Sequence, residues 1–567
     1  MKSVLSGVES AEQAEPVERE LKFKLGKEAW QRLRSLCGGK AEPRVLEQTN
    51  IYFDSYDAYF ACRRSMLRLR RENGRYFFVY KRGLNLQAGY FQAVEIEEEV
   101  GESAAAELRC GRIGELATTR VWRQAVEDGF RGELQAVGSV RNVREVWPIS
   151  VFGLDGGEKL ELDHTEFADG DEYELEIETV RPEYIKGKLS AELGLASPDC
   201  QEQKRTKYER FLRRQAAEKP VISCVMPVYN CLRTLKNAAA SIQKQTFPLW
   251  ELIAVDDGSD DGSADYIAEL AASDKRIRLV RVEHGGITAA LNEGLKHCRA
   301  PFIARMDGDD ISHPERFRRQ LLFLQEHGDV GAAGCRVHIF PRAGLTDGMR
   351  RYERWLNKAC NPEILQRDIF VESPLVHPSV MLRAEALKKV GHYADGPWPE
   401  DYQLWFRFWI QGVKMAKLED TLFYWRDTPQ RLTRCDVRCG HEALRELKVS
   451  MFLSSYWGKA DGSRYAVPAH KRRLIVWGAG PNGKALVKSL RSHGVAPDYF
   501  TDILEARHGQ TICGLKVLSI YELPEPRDYF LLTAVGNPYS RAEIRAFLQE
   551  RGWREGVDFC CMAGISD

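Results

Sequence analysis

No run in this 567-residue chain approaches the ~20 consecutive apolar residues that a membrane-spanning helix requires. The opening segment carries Glu9, Glu12 and Glu15 and lacks an apolar core, so no secretory signal is expected there. Net charge is missing too: 82 basic side chains balance 82 acidic ones, which removes the bulk attraction a nucleic acid or acidic membrane would exert. The 14 cysteines show no paired metal-ligand spacing, and adjacent Cys560-Cys561 suits neither a zinc knuckle nor a disulfide. Free, buried thiols in a reducing cytoplasm are expected, with no membrane span and no nucleic-acid partner. A peripheral seat at the inner membrane face is compatible with these absences.

What is present is unevenly spread. At this length roughly three or four domains are expected. The pattern predicts a disordered leader at 1–15, an antiparallel β unit at 16–214 and an α/β unit at 220–455. A linker rich in Gly, Ser and Lys at 456–473 leads to a second α/β unit at 474–567. The fold class is thus multidomain, α+β followed by α/β.

Two acidic clusters dominate the middle. Val255-Asp256-Asp257-Gly258-Ser259 ends one predicted strand, and Arg305-Met306-Asp307-Gly308-Asp309-Asp310 follows the apolar run Pro301-Phe302-Ile303-Ala304. Open α/β sheets bind ligands at the C-terminal ends of their parallel strands. An Asp-x-Asp pair there can hold Mg²⁺ or Mn²⁺, since hard cations prefer oxygen ligands and bridge phosphates. The plainer role is capping of the following helices, but the strand context, met twice and in order, favours a ligand. Further on, Glu400 and Asp401 precede a predicted helix at 402–412. Either can serve as a general base, and both also suit an acidic first helical turn.

These motifs resemble the family 2 glycosyltransferases. The resemblance runs through Val221-Ile-Ser-Cys-Val-Met-Pro-Val-Tyr-Asn230, a helix at 241–247, a strand at 250–259 and Gly286-Ile-Thr-Ala-Ala-Leu-Asn292. It continues with His377-Pro-Ser-Val380 and Trp398-Pro-Glu-Asp-Tyr-Gln-Leu-Trp405. Many relatives read Ala-Arg-Asn where this chain has Ala-Leu-Asn. The resemblance implies a nucleotide-sugar-binding fold of the GT-A type, a nucleotide diphosphate sugar as donor, a glycan or lipid-linked acceptor, and inversion at the anomeric carbon. Pro227, Tyr229, Asn230, Asp256 and Asp257 would contact the donor. Asp307 would touch the ribose or support the metal, and Asp309 would bind the cation. Asp401, or its rival Glu400, would take the acceptor proton. His377 lines the acceptor site or is an ordinary packed histidine.

The first 200 residues alternate with a period of two, the mark of half-buried strands. Charges recur on one face and sort by strand: Glu18, Glu20 and Lys22; Arg68 and Arg70; Lys81; Glu95 and Glu97; Glu174 and Glu176. A solvated face explains one such strand; five together suggest a closed barrel with a polar lumen. The segment resembles the CYTH superfamily of triphosphate tunnel metalloenzymes, through its Glu-x-Glu-x-Lys signature and Asn50-Ile-Tyr-Phe-Asp54. The resemblance implies an antiparallel β tunnel. In it Lys22, Arg68, Arg70, Lys81, Arg144 and Lys207 hold an inorganic or organic triphosphate, and Glu18, Glu20, Glu174 and Glu176 hold the metal. Asp163 fits a later position of the pattern.

In the last unit Leu474-Ile-Val-Trp-Gly-Ala-Gly-Pro-Asn-Gly483 reads as a strand entering a Gly-x-Gly-x-x-Gly turn, with a helix at 484–492 and a later strand at 530–537. Gly478, Gly480 and Gly483 would let a phosphate approach a helix N-terminus, with Asp502 placed for a ribose. The unit resembles small Rossmann-like modules of sugar-modifying enzymes, which implies a nucleotide-binding or scaffold role. Beside sugar transfer two other functions stay open: a metal-dependent triphosphatase or adenylate-cyclase-like enzyme, and a terminal domain that only binds nucleotide or polyphosphate and regulates.

Overall fold

The computed structural model describes residues 17–87, 90–154, 156–193, 200–428, 431–457 and 472–562. The expected leader, most of the expected linker (458–471) and the Glu18 side chain lie outside the described residues. The chain divides into two compact units, Met1–Gln215 and Ala216–Asp567.

The first unit is built on β1 (Val17–Leu25), β2 (Arg44–Asp54), β3 (Met66–Glu72), β4 (Arg75–Gln87), β5 (Tyr90–Val100), β6 (Gln135–Pro148), β7 (Lys159–Phe167) and β8 (Gly170–Glu178). Their order is β5-β4-β3-β2-β6-β7-β8-β1, and β1 also pairs with β5, so an eight-stranded antiparallel barrel closes. The short β9 (Cys200–Glu202) adds to β1. Alternation decides the faces. Leu21, Phe23 and Leu25 are buried with Leu33 and Cys37 of the helix Lys27–Gly38, and Phe53, Leu67, Leu69 and Phe78 with Leu108, Val121 and Phe130. With the apolar residues covered on the outside, the alternating charges point inward; Asp163 and Glu174 are fully buried. A solvated charged face is excluded.

The second unit opens with β10 (Ile222–Val228), β11 (Trp250–Asp256), β12 (Ile277–Arg281), β13 (Phe302–Arg305), β14 (Ile311–Ser312), β15 (Val330–Phe340), β16 (Met381–Arg383) and β17 (Lys414–Arg426). They form one sheet of order β12-β11-β10-β13-β16-β15-β17-β14. β12, β11, β10 and β13 are parallel, and β16 runs against β13. The register sets Val228 beside Asp256 and Val225 beside Arg305, so both acidic clusters leave the same edge of the sheet.

Three expected boundaries move. The helix expected at 241–247 spans Leu232–Gln243. It stops because the Gln245 amide donates to the carbonyls of Ser241 and His313 and to the Ser312 hydroxyl, while the Thr246 N–H turns to the Pro314 carbonyl. The strand expected to reach Ser259 ends at Asp256, before Gly258 takes a φ of +77°. The helix expected at 402–412 is Glu400–Ile410, and both acidic residues form its first turn after Pro399.

A further α/β sheet follows: β18 (Arg473–Trp477), β19 (Tyr499–Asp502), β20 (Thr511–Ile512), β21 (Leu515–Ser519), β22 (Tyr529–Thr533) and β23 (Phe559–Cys561), ordered β20-β21-β19-β18-β22-β23. All its pairings are parallel except β20–β21. The helix expected from 484 begins at Pro481, a residue suited to a first helical position, and the strand expected at 530–537 stops at Thr533. This sheet packs on the rest of its unit: the Phe452 and Tyr456 rings each lie 5.4 Å from Phe530. No described helix is long and apolar enough to cross a membrane. All the cysteines are free, but the expectation of burial fails for Cys110, Cys435 and Cys513, which are exposed, and for four others that are half-buried.

Candidate functional site

At the edge of the central sheet, the turn after β10 and the turn after β11 are sewn together. Asn230 takes a left-handed φ of +46°, its N–H donates to Ser259 Oγ (3.0 Å), and its side-chain oxygen accepts from the Asp260 N–H (2.9 Å). Tyr229 is half exposed, and its ring stacks on His284 at 4.3 Å. Asp256 and Asp257 are both buried but differ in use. Asp257 accepts from the Gly285 and Gly286 N–H groups (2.8 and 3.0 Å) and lies 3.0 Å from His284 Nδ1. It thereby braces the entry to the helix Ile287–Lys296. Asp256, by contrast, accepts a long bond from the Ser259 N–H (3.4 Å).

Beyond β13, Asp307, Asp309 and Asp310 each bring a carboxylate oxygen within 4.8 Å of the others. Burial, with repulsion from Asp307, pushes Asp309 up to about 6, and burial with both neighbours raises Asp310 well above the carboxylate range. Asp310 Oδ1 accepts from the Arg426 N–H (2.7 Å), while Oδ2 is buried without a hydrogen-bond partner. Three crowded carboxylates and an orphaned oxygen fit a hard divalent cation, which would cancel the repulsion.

Arginines surround this cluster. Arg305 is almost fully buried and pairs with Asp307. Its charge also acts on Glu400 and Asp401. The buried Arg316 donates to the carbonyls of Arg305 (2.6 Å) and Pro378 (3.0 Å) and so ties the acidic loop to the His377 loop. Arg431 lies 3.4 Å over the Trp425 ring and acts electrostatically on Asp309 and Asp310.

The helix Glu400–Ile410 presents its two acids differently. Glu400 lies 3.6 Å from His377 Nδ1, and His377 Nε2 is 2.8 Å from the Tyr393 hydroxyl. Burial pushes Glu400 up, but His377 more than offsets this and its carboxyl titrates below the usual range. Asp401 is raised to about 7 by burial and by the neighbouring Glu400 charge. Its carboxylate accepts from the Tyr402 N–H (2.7 Å). An exposure-limited carboxylate with a near-neutral pKa suits proton abstraction.

In the barrel, Lys22 bonds Glu20 (2.7 Å) and Glu176 (2.9 Å), and Lys81 bonds Glu20 (3.1 Å) and Glu95 (3.0 Å). Arg68 meets Glu95 (3.3 Å), and Arg70 meets Glu97 (2.5 Å). Arg144 joins Asp163 (2.7 Å) and Glu176 (2.6 Å), and Lys207 joins Asp163 (2.7 Å). Asp163, Glu174 and Glu176 form a second group of carboxylates within 4.8 Å, all buried. Burial pushes Glu20 and Glu95 up, but their basic partners win and hold both down at about 2. Among the described residues, the charged side chains expected here, Glu18 apart, thus meet in one lumen. Two members were not anticipated: Arg210, bonded to Glu172 (2.6 Å) and Glu174 (2.5 Å), and Glu161, raised to about 7 by burial.

In the last sheet, Gly478 takes a φ of +101°, and a Cβ on Gly483 would lie 1.7 Å from the Gly478 carbonyl oxygen. Asp502 reaches this turn, but its oxygens accept from the Ala479 N–H (2.7 Å), the Leu504 N–H (2.9 Å) and Arg507 (2.8 Å). Gly480 lies beside Arg507.

Comparison with known proteins places names on two of these regions. Residues 17–199 match the CYTH domain model and residues 223–391 the model of glycosyl transferase family 2. "Putative glycosyltransferase EpsE" of Bacillus subtilis (strain 168) is 32% identical over 277 residues, 45% of this chain and 95% of that protein. Among solved structures, the Hippeastrum "putative adenylyl cyclase HpAC1", described as having a dominant triphosphatase activity, is 30% identical. It covers 34% of this chain and 94% of its own, with a TM-score of 0.32. Residues 1–349 of S. aureus TarS in complex with UDP-GlcNAc are 19% identical over 48% of this chain and 72% of that one, with a TM-score of 0.35. By its central domain the chain belongs to glycosyl transferase family 2.

Proposed function

We propose that the central domain moves a sugar from a nucleotide diphosphate sugar to an acceptor hydroxyl on a glycan or lipid-linked chain, with inversion. The observation that carries this reading is that Arg305, paired with Asp307 of the acidic cluster, also acts on Asp401, whose pKa is raised to about 7 by burial and by Glu400. The turns holding Tyr229, Asn230 and Asp256 would grip the nucleoside. Asp401 would accept the acceptor's hydroxyl proton as that oxygen bonds to the anomeric carbon and the nucleoside diphosphate leaves from the opposite face. Glu400, kept anionic by His377, would hold Asp401 in its raised range. Asp309, with Asp307 and Asp310, would hold Mg²⁺ or Mn²⁺, whose charge would stabilise the leaving diphosphate. Release of nucleoside diphosphate from a panel of UDP- and GDP-sugars, with and without Mn²⁺, tests this. No release from any donor in either condition would refute it.

A second activity is supported by the barrel. Its paired charges suit a triphosphate together with a divalent cation at Glu18, Glu20, Glu174 and Glu176, a reading supported by the buried group Asp163, Glu174 and Glu176, so that the unit binds or hydrolyses inorganic or organic triphosphate. Phosphate release from tripolyphosphate by the full chain is the test. Residues 474–567 would be a Rossmann-like module of nucleotide-binding or scaffold type. Domain limits at 214–220 and 456–473, and a cytoplasmic location with a peripheral seat on the membrane, belong to the same proposal.

A further inference from the structure

Four consecutive residues, Asp368 to Val371, join the last sheet to the helix that bears Glu400 and Asp401. Asp368 is buried at the end of the helix Pro362–Arg367 and accepts from Arg545 (2.5 Å), with Arg367 beside it (2.9 Å). Arg545 belongs to the helix Pro538–Glu550 over the last sheet, and its Nε donates to Glu555 (2.9 Å). The Ile369 carbonyl accepts from the Tyr402 hydroxyl (2.5 Å), one residue beyond Asp401. The Phe370 ring packs on Phe406 (5.0 Å) and Trp409 (5.3 Å) of the same helix. Val371, fully buried, sits in the core of the last sheet with Ile475, Trp477 and Leu531, and its carbonyl accepts from the buried Lys448 (2.7 Å). Six residues later the segment delivers His377 to Glu400.

Residues that alternate in this way between two bodies transmit position, because packed interiors do not deform gradually. A linker that merely tethered two domains would not bury a charged pair and a valine on one side and an aromatic ring on the other.

We propose that the last sheet is a positioning module for the transferase: through Arg545, Asp368 and Val371 it sets the helix that carries Asp401 against the donor cleft. The inference rests on the reading of Asp401 as the base. Arg545 is a positioning residue and touches no reactant.

The test compares the full chain with Arg545→Met, Arg545→Lys and Asp401→Asn, using whichever UDP-sugar of the panel releases UDP fastest. Arg545→Met should lower kcat about ten-fold, as expected for sub-ångström misplacement, and shift the pH profile of kcat, while UDP affinity by calorimetry stays within about two-fold. Arg545→Lys should restore part of the loss. Hydrogen exchange at residues 399–403 should quicken in Arg545→Met by about ten-fold. Where Arg545→Met loses its cooperative melt, the isosteric Asp368→Asn carries the same expectations. Unchanged kcat, pH profile and exchange in a folded Arg545→Met would overturn the inference. An Asp401→Asn of unchanged kcat beside a slowed Arg545→Met would instead overturn the base assignment and uphold the coupling.

Discussion

The Glu400 carboxylate stands 3.6 Å from His377 Nδ1, while Asp401, its neighbour in the chain, has no basic side chain at ion-pair distance among the described residues. Two adjacent acids are therefore driven apart in acidity: burial pushes Glu400 up but His377 more than offsets it and takes it below the usual carboxylate range, whereas burial and the Glu400 charge raise Asp401 to about 7. Such splitting assigns roles that sequence leaves open.

Asp401→Asn is expected to reduce turnover by at least ~10² with nucleotide binding intact. In the unaltered protein a base must be deprotonated, so kcat should fall about ten-fold per pH unit below about 7 and level off above it. Glu400→Gln removes a negative neighbour, lowers the Asp401 pKa and should move that limb to lower pH. A larger loss in Glu400→Gln than in Asp401→Asn would reverse the assignment.

Asp309→Asn should abolish sugar transfer while leaving the melting temperature nearly unchanged, since a neutral amide is a poor ligand beside a diphosphate. Burial holds Asp309 at about 6, and a cation competes with the proton there, so Mn²⁺ affinity should weaken as pH falls through that value. Titration calorimetry at pH 5 and pH 8 reads this directly.

In the barrel, Arg68→Met should weaken tripolyphosphate binding even at saturating metal, because a guanidinium fork facing phosphate is lost. Glu20→Gln should instead reduce metal dependence or hydrolysis. Wild-type behaviour in both variants would remove the lumen from the function.

Gly483→Ala should destabilise the second unit by about 1–3 kcal/mol, the usual cost of overpacking. Its Cβ would meet the Gly478 carbonyl oxygen at 1.7 Å. Calorimetric melting of the full chain measures the shift, and an unchanged melt would disprove the close approach.

Much of this architecture was legible because it depends on local pattern. Period-2 charges located the barrel lumen, and acids following apolar runs located one edge of the central sheet. What escaped is non-local. His284 enters no motif; it matters because Asp257 and Tyr229 converge on it from other segments. Arg316 lies in an ordinary amphipathic helix, and only folding brings the carbonyls of Arg305 and Pro378 to it. Asp257 and Asp502, expected at ligands, also accept from N–H groups of nearby turns, contacts that residue type does not reveal.

The closed barrel has one consequence for the order in which its guests can arrive. Its cationic side chains are already neutralised by carboxylates on facing strands. A polyanion entering alone would free those carboxylates without giving them a counter-charge, and a divalent ion entering alone would strand the ammonium and guanidinium groups. Each visitor is penalised without the other, so the lumen should behave as an ion exchanger selective for the metal complex: magnesium–triphosphate taken up as one species, its residual negative charge met by the basic side chains, with free triphosphate and free metal both admitted poorly.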